Sequence, residues 1–209
     1  MPAVKVCGLT CIEDAQLAWE LGAAALGFVF HTASPRAVTV AQAAAIRAEL
    51  PEEAVCVGVF VDQGTNEIRE VAEAVGLSAI QLHGRETPEL ASSLGLPVFK
   101  AIRAEDADAG YLRTFRVAAF LLDATHPSLT GGTGQRADWN TARELALAYP
   151  LILAGGLHPG NVREALDAVC PRGLDLSSGL EAAPGRKDPE RLRQLFRSLP
   201  MNGERPCLF

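Results

Sequence analysis

Eight short apolar runs punctuate the chain, at residues 3–7, 25–30, 54–61, 79–83, 98–101, 118–123, 151–154 and 173–177. Each is continuously apolar rather than alternating, as in strands covered on both faces. The stretches between them are amphipathic and long enough for a helix each. Eight strand–helix units in a chain of 209 residues predict an α/β protein, a single (β/α)8 TIM barrel. A doubly wound open sheet is the alternative parallel architecture, but no Gly-x-Gly-x-x-Gly follows the first run. No linker or low-complexity stretch divides the chain, so residues 1–199 are read as the barrel domain and 200–209 as a C-terminal tail.

Helix boundaries are written into the intervening segments. Thr10 with Glu13 and Thr39 with Gln42 have capping-box spacing, and Gly22 can end the first helix. Thr87-Pro88-Glu89 and Asp188-Pro189-Glu190 each place a capping residue before a proline at the first helical position. Asp138 can cap a helix over 139–149. Segment 105–116 is the weakest helix; Gly110 and its acidic start permit a loop there.

Composition excludes several functions. Apolar residues make up 48% and charged residues 21%, enough to build a core and too apolar for a disordered chain. The net charge of -6 gives no basic footprint for nucleic acid. No apolar run reaches membrane-spanning length, and the first strand begins at once, without a secretory leader. The five cysteines are odd in number and lack a CxxC pair, which fits reduced thiols in a cytoplasmic protein and no metal centre. Cys11, Cys56 and Cys170 read as packing residues.

In a barrel of this kind the active site lies at the C-terminal ends of the strands. Cys7 ends the first run, and a thiol there can serve as base or nucleophile; the bland alternative is an inert buried cysteine. Its thiol needs help to ionise at neutral pH, and the start of the first helix can supply it. Lys5, two residues back, shares the face of Cys7 and needs an anionic partner, Asp123 or Asp175. Asp123 closes the sixth run and is either a catalytic acid or a loop cap. His83 can contact substrate or serve structurally, and Asp175 can orient groups or stand as a reserve acid. Arg36, after Ser34-Pro35, suits a carboxylate or sits solvated at the surface. Gly155-Gly156 and Ser178-Gly179 follow the last two runs, where barrels hold phosphate on bare amides; the alternative is that they only make tight turns.

These pieces together closely resemble the phosphoribosylanthranilate isomerase family of tryptophan biosynthesis. The resemblance is carried by Lys5-Val6-Cys7-Gly8-Leu9-Thr10, Gly27-Phe28-Val29-Phe30 with Ser34-Pro35-Arg36, Val57-Gly58-Val59-Phe60-Val61 and Gln81-Leu82-His83-Gly84. It continues through Leu122-Asp123, Gly131-Gly132-Thr133-Gly134, Asp138-Trp139, Leu153-Ala154-Gly155-Gly156-Leu157, Asp175 to Gly179 and Pro184-Gly185-Arg186-Lys187-Asp188. It spans nearly the whole chain in order. It implies a cofactor-free Amadori rearrangement of a small phosphorylated substrate, in a monomer or homodimer. The family's general base falls on Cys7, its general acid on Asp123, its anthranilate-carboxylate contact on Arg36, and its phosphate site on Gly155, Gly156, Ser178 and Gly179. Two other readings stand beside it. One is the related isomerase of histidine biosynthesis, whose base at the end of the first strand is an Asp where this chain has Cys7. The other is a barrel that binds a sugar phosphate without turnover.

Overall fold

A computed structural model describes residues 2–123, 135–199 and 207, with the side chains of 135–138 excepted. Strands β1 (Ala3–Cys7), β2 (Ala25–Val29), β3 (Cys56–Phe60), β4 (Ala79–Leu82), β5 (Val98–Ile102), β6 (Ala119–Asp123), β7 (Leu151–Ala154) and β8 (Gly173–Leu176) pair in parallel and in sequence order, and β1–β8 pairing closes the barrel. The open-sheet alternative is thereby excluded. Helices α1 (Ile12–Glu20), α2 (Val40–Ala48), α3 (Thr65–Val75), α4 (Pro88–Ser93), α5 (Ala109–Leu112), α6 (Gln135–Ala148), α7 (Val162–Val169) and α8 (Pro189–Ser198) alternate with the strands. A small antiparallel hairpin, β9 (Glu181–Ala183) with β10 (Arg186–Lys187), is inserted between β8 and α8.

Two apolar layers follow from the period of two along each strand. One face fills the barrel with small residues, among them Ala3, Ala25, Ala79, Ala101 and Ala119, wedged by Val57, Phe99, Leu121 and Ile152. The other face, including Val4, Val6, Leu26, Phe28, Leu122 and Leu174, packs under the helices. The alternation decides which polar side chain meets the lumen and which meets the helix layer.

Thr39 and Gln42 form the reciprocal cap expected of them, and Thr87 and Asp188 cap their proline-led helices. Thr10 does not cap α1. Cys11 stands at that N-terminus without a side-chain cap, and the Thr10 hydroxyl instead donates to the Gly185 carbonyl at 2.5 Å, tying the first loop to the hairpin. Helix α6 begins at Gln135, so Asp138 lies within it rather than ahead of it. The weak fifth segment becomes one 3-10 turn, Ala104–Asp106, and the four-residue α5. Cys170 is exposed rather than packed: it ends α7 in the left-handed conformation. The glycine-rich motif Gly131-Gly132-Thr133-Gly134 lies outside the described residues, as does the tail apart from Cys207.

Candidate active site

A cavity of about 360 Å³ opens at the C-terminal ends of the strands. It is lined by Cys7, Arg36, His83, Asp123 and Asp175, with Gly155, Gly156 and Ser178 on one wall. Residues from seven of the eight strand ends, or the loops that follow them, thus converge in one hollow. A second hollow of about 370 Å³, at the N-terminal ends of β1 and β8, joins Arg163, Asp167, Cys170 and Arg172. In barrels that end serves stability rather than chemistry.

Cys7 and Lys5 alternate onto the lumen face of β1. Lys5 is register partner of Asp175 on β8, and its ammonium donates to Asp175 Oδ1 at 2.9 Å. Of its two candidate partners, Asp175 is therefore the one engaged. Burial pulls Lys5 toward neutrality, but Asp175 and then Cys7 outweigh it, so Lys5 remains an ammonium. Burial pushes the Cys7 thiol above its ordinary value, and the charge of Lys5 opposes that shift only in part. Gly27 lies opposite Cys7 in the β1–β2 register. A methyl group there would stand 2.8 Å from Cys7 Sγ and 3.0 Å from Lys5 Nζ, so the absence of a side chain at Gly27 leaves the thiol its room.

His83 follows β4, and its Nδ1 lies 3.0 Å from Gln81 Nε2. That amide donates, so the neutral ring carries its proton on Nε2. Protein around His83 lowers its basicity, chiefly by excluding water. Two buried oxygens in the cavity wall, Gln81 Oε1 and Ser177 Oγ, have no hydrogen-bond partner among the described residues. Such groups favour a polar ligand.

Arg36 lies over Gly8. The backbone of Gly8 has φ +73°, and a methyl group there would meet Arg36 Cδ at 2.6 Å. Its guanidinium forms a two-pronged pair with Glu181, Nε to Oε1 and Nη2 to Oε2, both at 2.7 Å. Glu181 also accepts from Lys187 Nζ at 3.0 Å. Burial alone would raise the Glu181 carboxyl, yet Arg36 and Lys187 hold it below the usual carboxylate range. Sequence reasoning missed Glu181 because its partner lies 145 positions away. It missed Gln81 as well, though a polar residue inside an apolar run was the available signal.

Gly155 and Gly156 have φ of +87° and +60° and line the cavity. Gly179 does not line it. It abuts the Leu157 carbonyl, where a side chain would clash, so its smallness lets the two loops meet.

A closed eight-stranded barrel with this mouth defines the class: a (β/α)8 protein with its polar pocket at the C-terminal ends of the strands, where enzymes of this fold work. Residues 4–198 match the family described as N-(5'phosphoribosyl)anthranilate (PRA) isomerase, and the chain belongs to that family. It is 48% identical over 198 residues to N-(5'-phosphoribosyl)anthranilate isomerase of Geobacter sulfurreducens, covering 94% of this chain and 98% of that one. Among solved structures, phosphoribosyl anthranilate isomerase from Thermotoga maritima superposes with a TM-score of 0.86 at 39% identity, over 95% of this chain and 98% of that one. The same enzyme type in complex with reduced 1-(o-carboxyphenylamino)-1-deoxyribulose 5-phosphate gives 0.83 at 37% identity, with 95% and 98% covered.

Proposed function

We propose that this chain converts N-(5-phosphoribosyl)anthranilate to 1-(2-carboxyphenylamino)-1-deoxyribulose 5-phosphate, an aldose–ketose isomerisation of tryptophan biosynthesis, by general acid–base catalysis without a cofactor. The observation that carries the reading is the single cavity shared by Cys7, Asp123, Arg36 and the loop after β7 in a chain of this family. The Asp123 carboxyl protonates the ribose ring oxygen, and the ring opens to an iminium at C1. The iminium acidifies the hydrogen on C2, and the Cys7 thiolate removes it. The resulting enolamine takes a proton at C1 and gives up its C2 hydroxyl proton to become the C2 ketone, so one proton has moved from C2 to C1, another from the C2 hydroxyl to the former ring oxygen, and acid and base are both restored.

Arg36 receives the anthranilate carboxylate. His83, as the Nε2–H tautomer, and Asp175, held by Lys5, face the sugar. The phosphate is held by Gly155, Gly156 and Ser178, with Gly179 keeping the two loops together. Grip on the phosphate, remote from C1 and C2, holds the sugar between acid and base. Among the described residues no helix is long and apolar enough to cross a membrane. A cytoplasmic enzyme, as monomer or homodimer, fits a biosynthetic family, and the Thermotoga maritima relative is described as dimeric.

The test is to generate phosphoribosylanthranilate in situ and follow the decay of its fluorescence. The wild-type chain turns it over, and Cys7→Ser and Asp123→Asn each lower kcat by at least ~100-fold, the least that a positioned acid or base contributes. Near-normal turnover in both variants would remove the assignment. Turnover of the histidine-pathway substrate instead would move the chain to the related isomerase.

A further inference from the structure

Arg36 is the only member of its ion cluster, with Glu181 and Lys187, that lines the cavity. Its guanidinium has two edges able to grip a carboxylate in parallel: the side edge of Nε and Nη2, and the end edge of Nη1 and Nη2. Glu181 takes the side edge with two bonds of 2.7 Å. The end edge is the one turned away from Glu181.

Glu181 is itself held from several directions. Its Oε1 accepts from Lys187 Nζ at 3.0 Å and from the Gly185 amide at 3.3 Å, and its backbone carbonyl accepts from Arg191 Nη1 at 2.7 Å. The hairpin that carries it is pinned by Thr10 to Gly185 and by the Lys187 amide to Asp14 Oδ2 at 2.7 Å. Lys187 and the Gly185 amide thus fix the carboxylate, Arg191 fixes the backbone that carries it, and the carboxylate fixes the arginine. The cluster carries two cations and one anion, so its net charge is a single positive one, concentrated where Arg36 meets the cavity.

We infer that Glu181 is a positioning residue for carboxylate recognition: it locks the side edge of Arg36 so that the end edge stands ready for the carboxylate of the substrate. This deepens the reading of Arg36 given above and rests on it. An arginine held in its binding geometry loses less rotational freedom when the ligand arrives. Lys187 keeps Glu181 ionised, and the hairpin acts as the brace that links the first, second and eighth strand ends.

The rival account is that Glu181 only balances charge. The two predict opposite signs. Removing a carboxylate that merely neutralises leaves two cations and tightens binding of an anionic ligand. Removing one that positions loosens it. The experiment measures inhibition by two probes: reduced 1-(o-carboxyphenylamino)-1-deoxyribulose 5-phosphate, and its phenylamino counterpart lacking the carboxyl. The ratio of the two inhibition constants reads the carboxylate alone.

In Glu181→Gln the ratio is expected to fall by about tenfold, the scale of one charge-assisted contact poorly made. The loss appears in KM more than in kcat. The double variant Glu181→Gln/Lys187→Met restores the net charge of the cluster and is expected to show the same loss. Arg36→Met is the reference and abolishes the ratio. Tighter binding in Glu181→Gln, returned to normal by the double variant, would overturn the inference in favour of charge balance. Equal loss for both probes would overturn it as damage to the cavity. An unchanged ratio in Glu181→Gln, with the ratio lost in Arg36→Met, would overturn it while sparing the role of Arg36. An unchanged ratio in Arg36→Met would remove that role and the inference with it.

Discussion

Two of the lysine–carboxylate pairs buried among the described residues, both held by barrel strands, have the same length and do different work. Lys5 Nζ meets Asp175 Oδ1 at 2.9 Å, and Lys100 Nζ meets Glu86 Oε2 at 2.9 Å. All four side chains are almost wholly enclosed. What differs is the face of the sheet. Lys5 shares the lumen face with Cys7. Lys100 stands between Phe99 and Ala101, which fill the lumen, so it points the other way, toward the side of Val98 and Ile102. Out there Glu86 also accepts from the amides of Asp62 and Gly84, and Lys100 donates to the Gly84 carbonyl at 2.6 Å. That pair stitches the loops after β3 and β4 together. The inner pair touches the cavity through Asp175 and sets the charge around a thiol. One step of strand alternation separates a scaffold from a piece of chemistry.

The sharpest way to break this comparison is Glu86→Ala. It strands the Lys100 ammonium and two backbone amides at once. Breaking one side of a buried pair costs about 3–5 kcal/mol, so a large drop in stability toward denaturant is expected. Turnover per folded molecule should hold. A drop in turnover without the loss of stability would mean that the outer pair belongs to the active site after all.

Next in size is Gly27→Ala, which probes the inner pair from the neighbouring strand. The added methyl would sit 3.1 Å from Cys7 Cα, which is backbone and cannot swing aside, besides crowding Cys7 Sγ and Lys5 Nζ. Overpacking of this kind costs about 1–3 kcal/mol of stability. Turnover should fall further than stability does, because the displaced atom is the proposed base. Equal wild-type and variant turnover would show that the thiol position is not limiting.

The comparison also explains what the sequence could disclose. The barrel was legible because eight apolar runs obey one local rule, and strand ends are local features, so Cys7 and Asp123 could be placed at the mouth. Lys5 was legible for the same reason: a lysine on the face of Cys7 demands an anion. Lys100 carried an identical signal, a cation inside an apolar run, and its partner lies only 14 positions away in the next loop back. The fork of Arg36 on Glu181 was not legible. It joins the second strand's loop to a hairpin beyond the eighth, and nothing in either segment's spacing records the closure of the barrel that brings them together. Thr10 misled for the same reason. Its capping spacing is correct locally, but a distant carbonyl won the hydroxyl. The ionisation of Cys7 was not legible, because a helix start is visible in sequence and the depth of burial is not.

The smallest effect on turnover is the most diagnostic, because it turns on charge, although in stability it too strands one side of a buried pair, Asp175, at a cost of about 3–5 kcal/mol. Lys5→Met removes the ammonium beside Cys7 while keeping most of its bulk. Lys5 holds the thiol down against burial, and Asp175 pushes it up. Without Lys5 only the weaker influence of Lys187 opposes burial and Asp175, so the thiol rises. The active form is the thiolate, so the ascending limb of kcat/KM against pH moves to higher pH. Below that limb turnover falls about tenfold for each pH unit of displacement. At sufficiently alkaline pH the variant should approach the wild type, because the thiolate is then present in both. Folding responds with its own sign. The pairing raises Lys5 above its ordinary value, so its contribution to wild-type stability is complete below about pH 10.4 and is lost as pH rises through the folded-state value. The variant lacks that alkaline loss. A uniform fall in kcat/KM at every pH would instead make Lys5 a brace like Lys100, and the distinction between the two pairs would collapse.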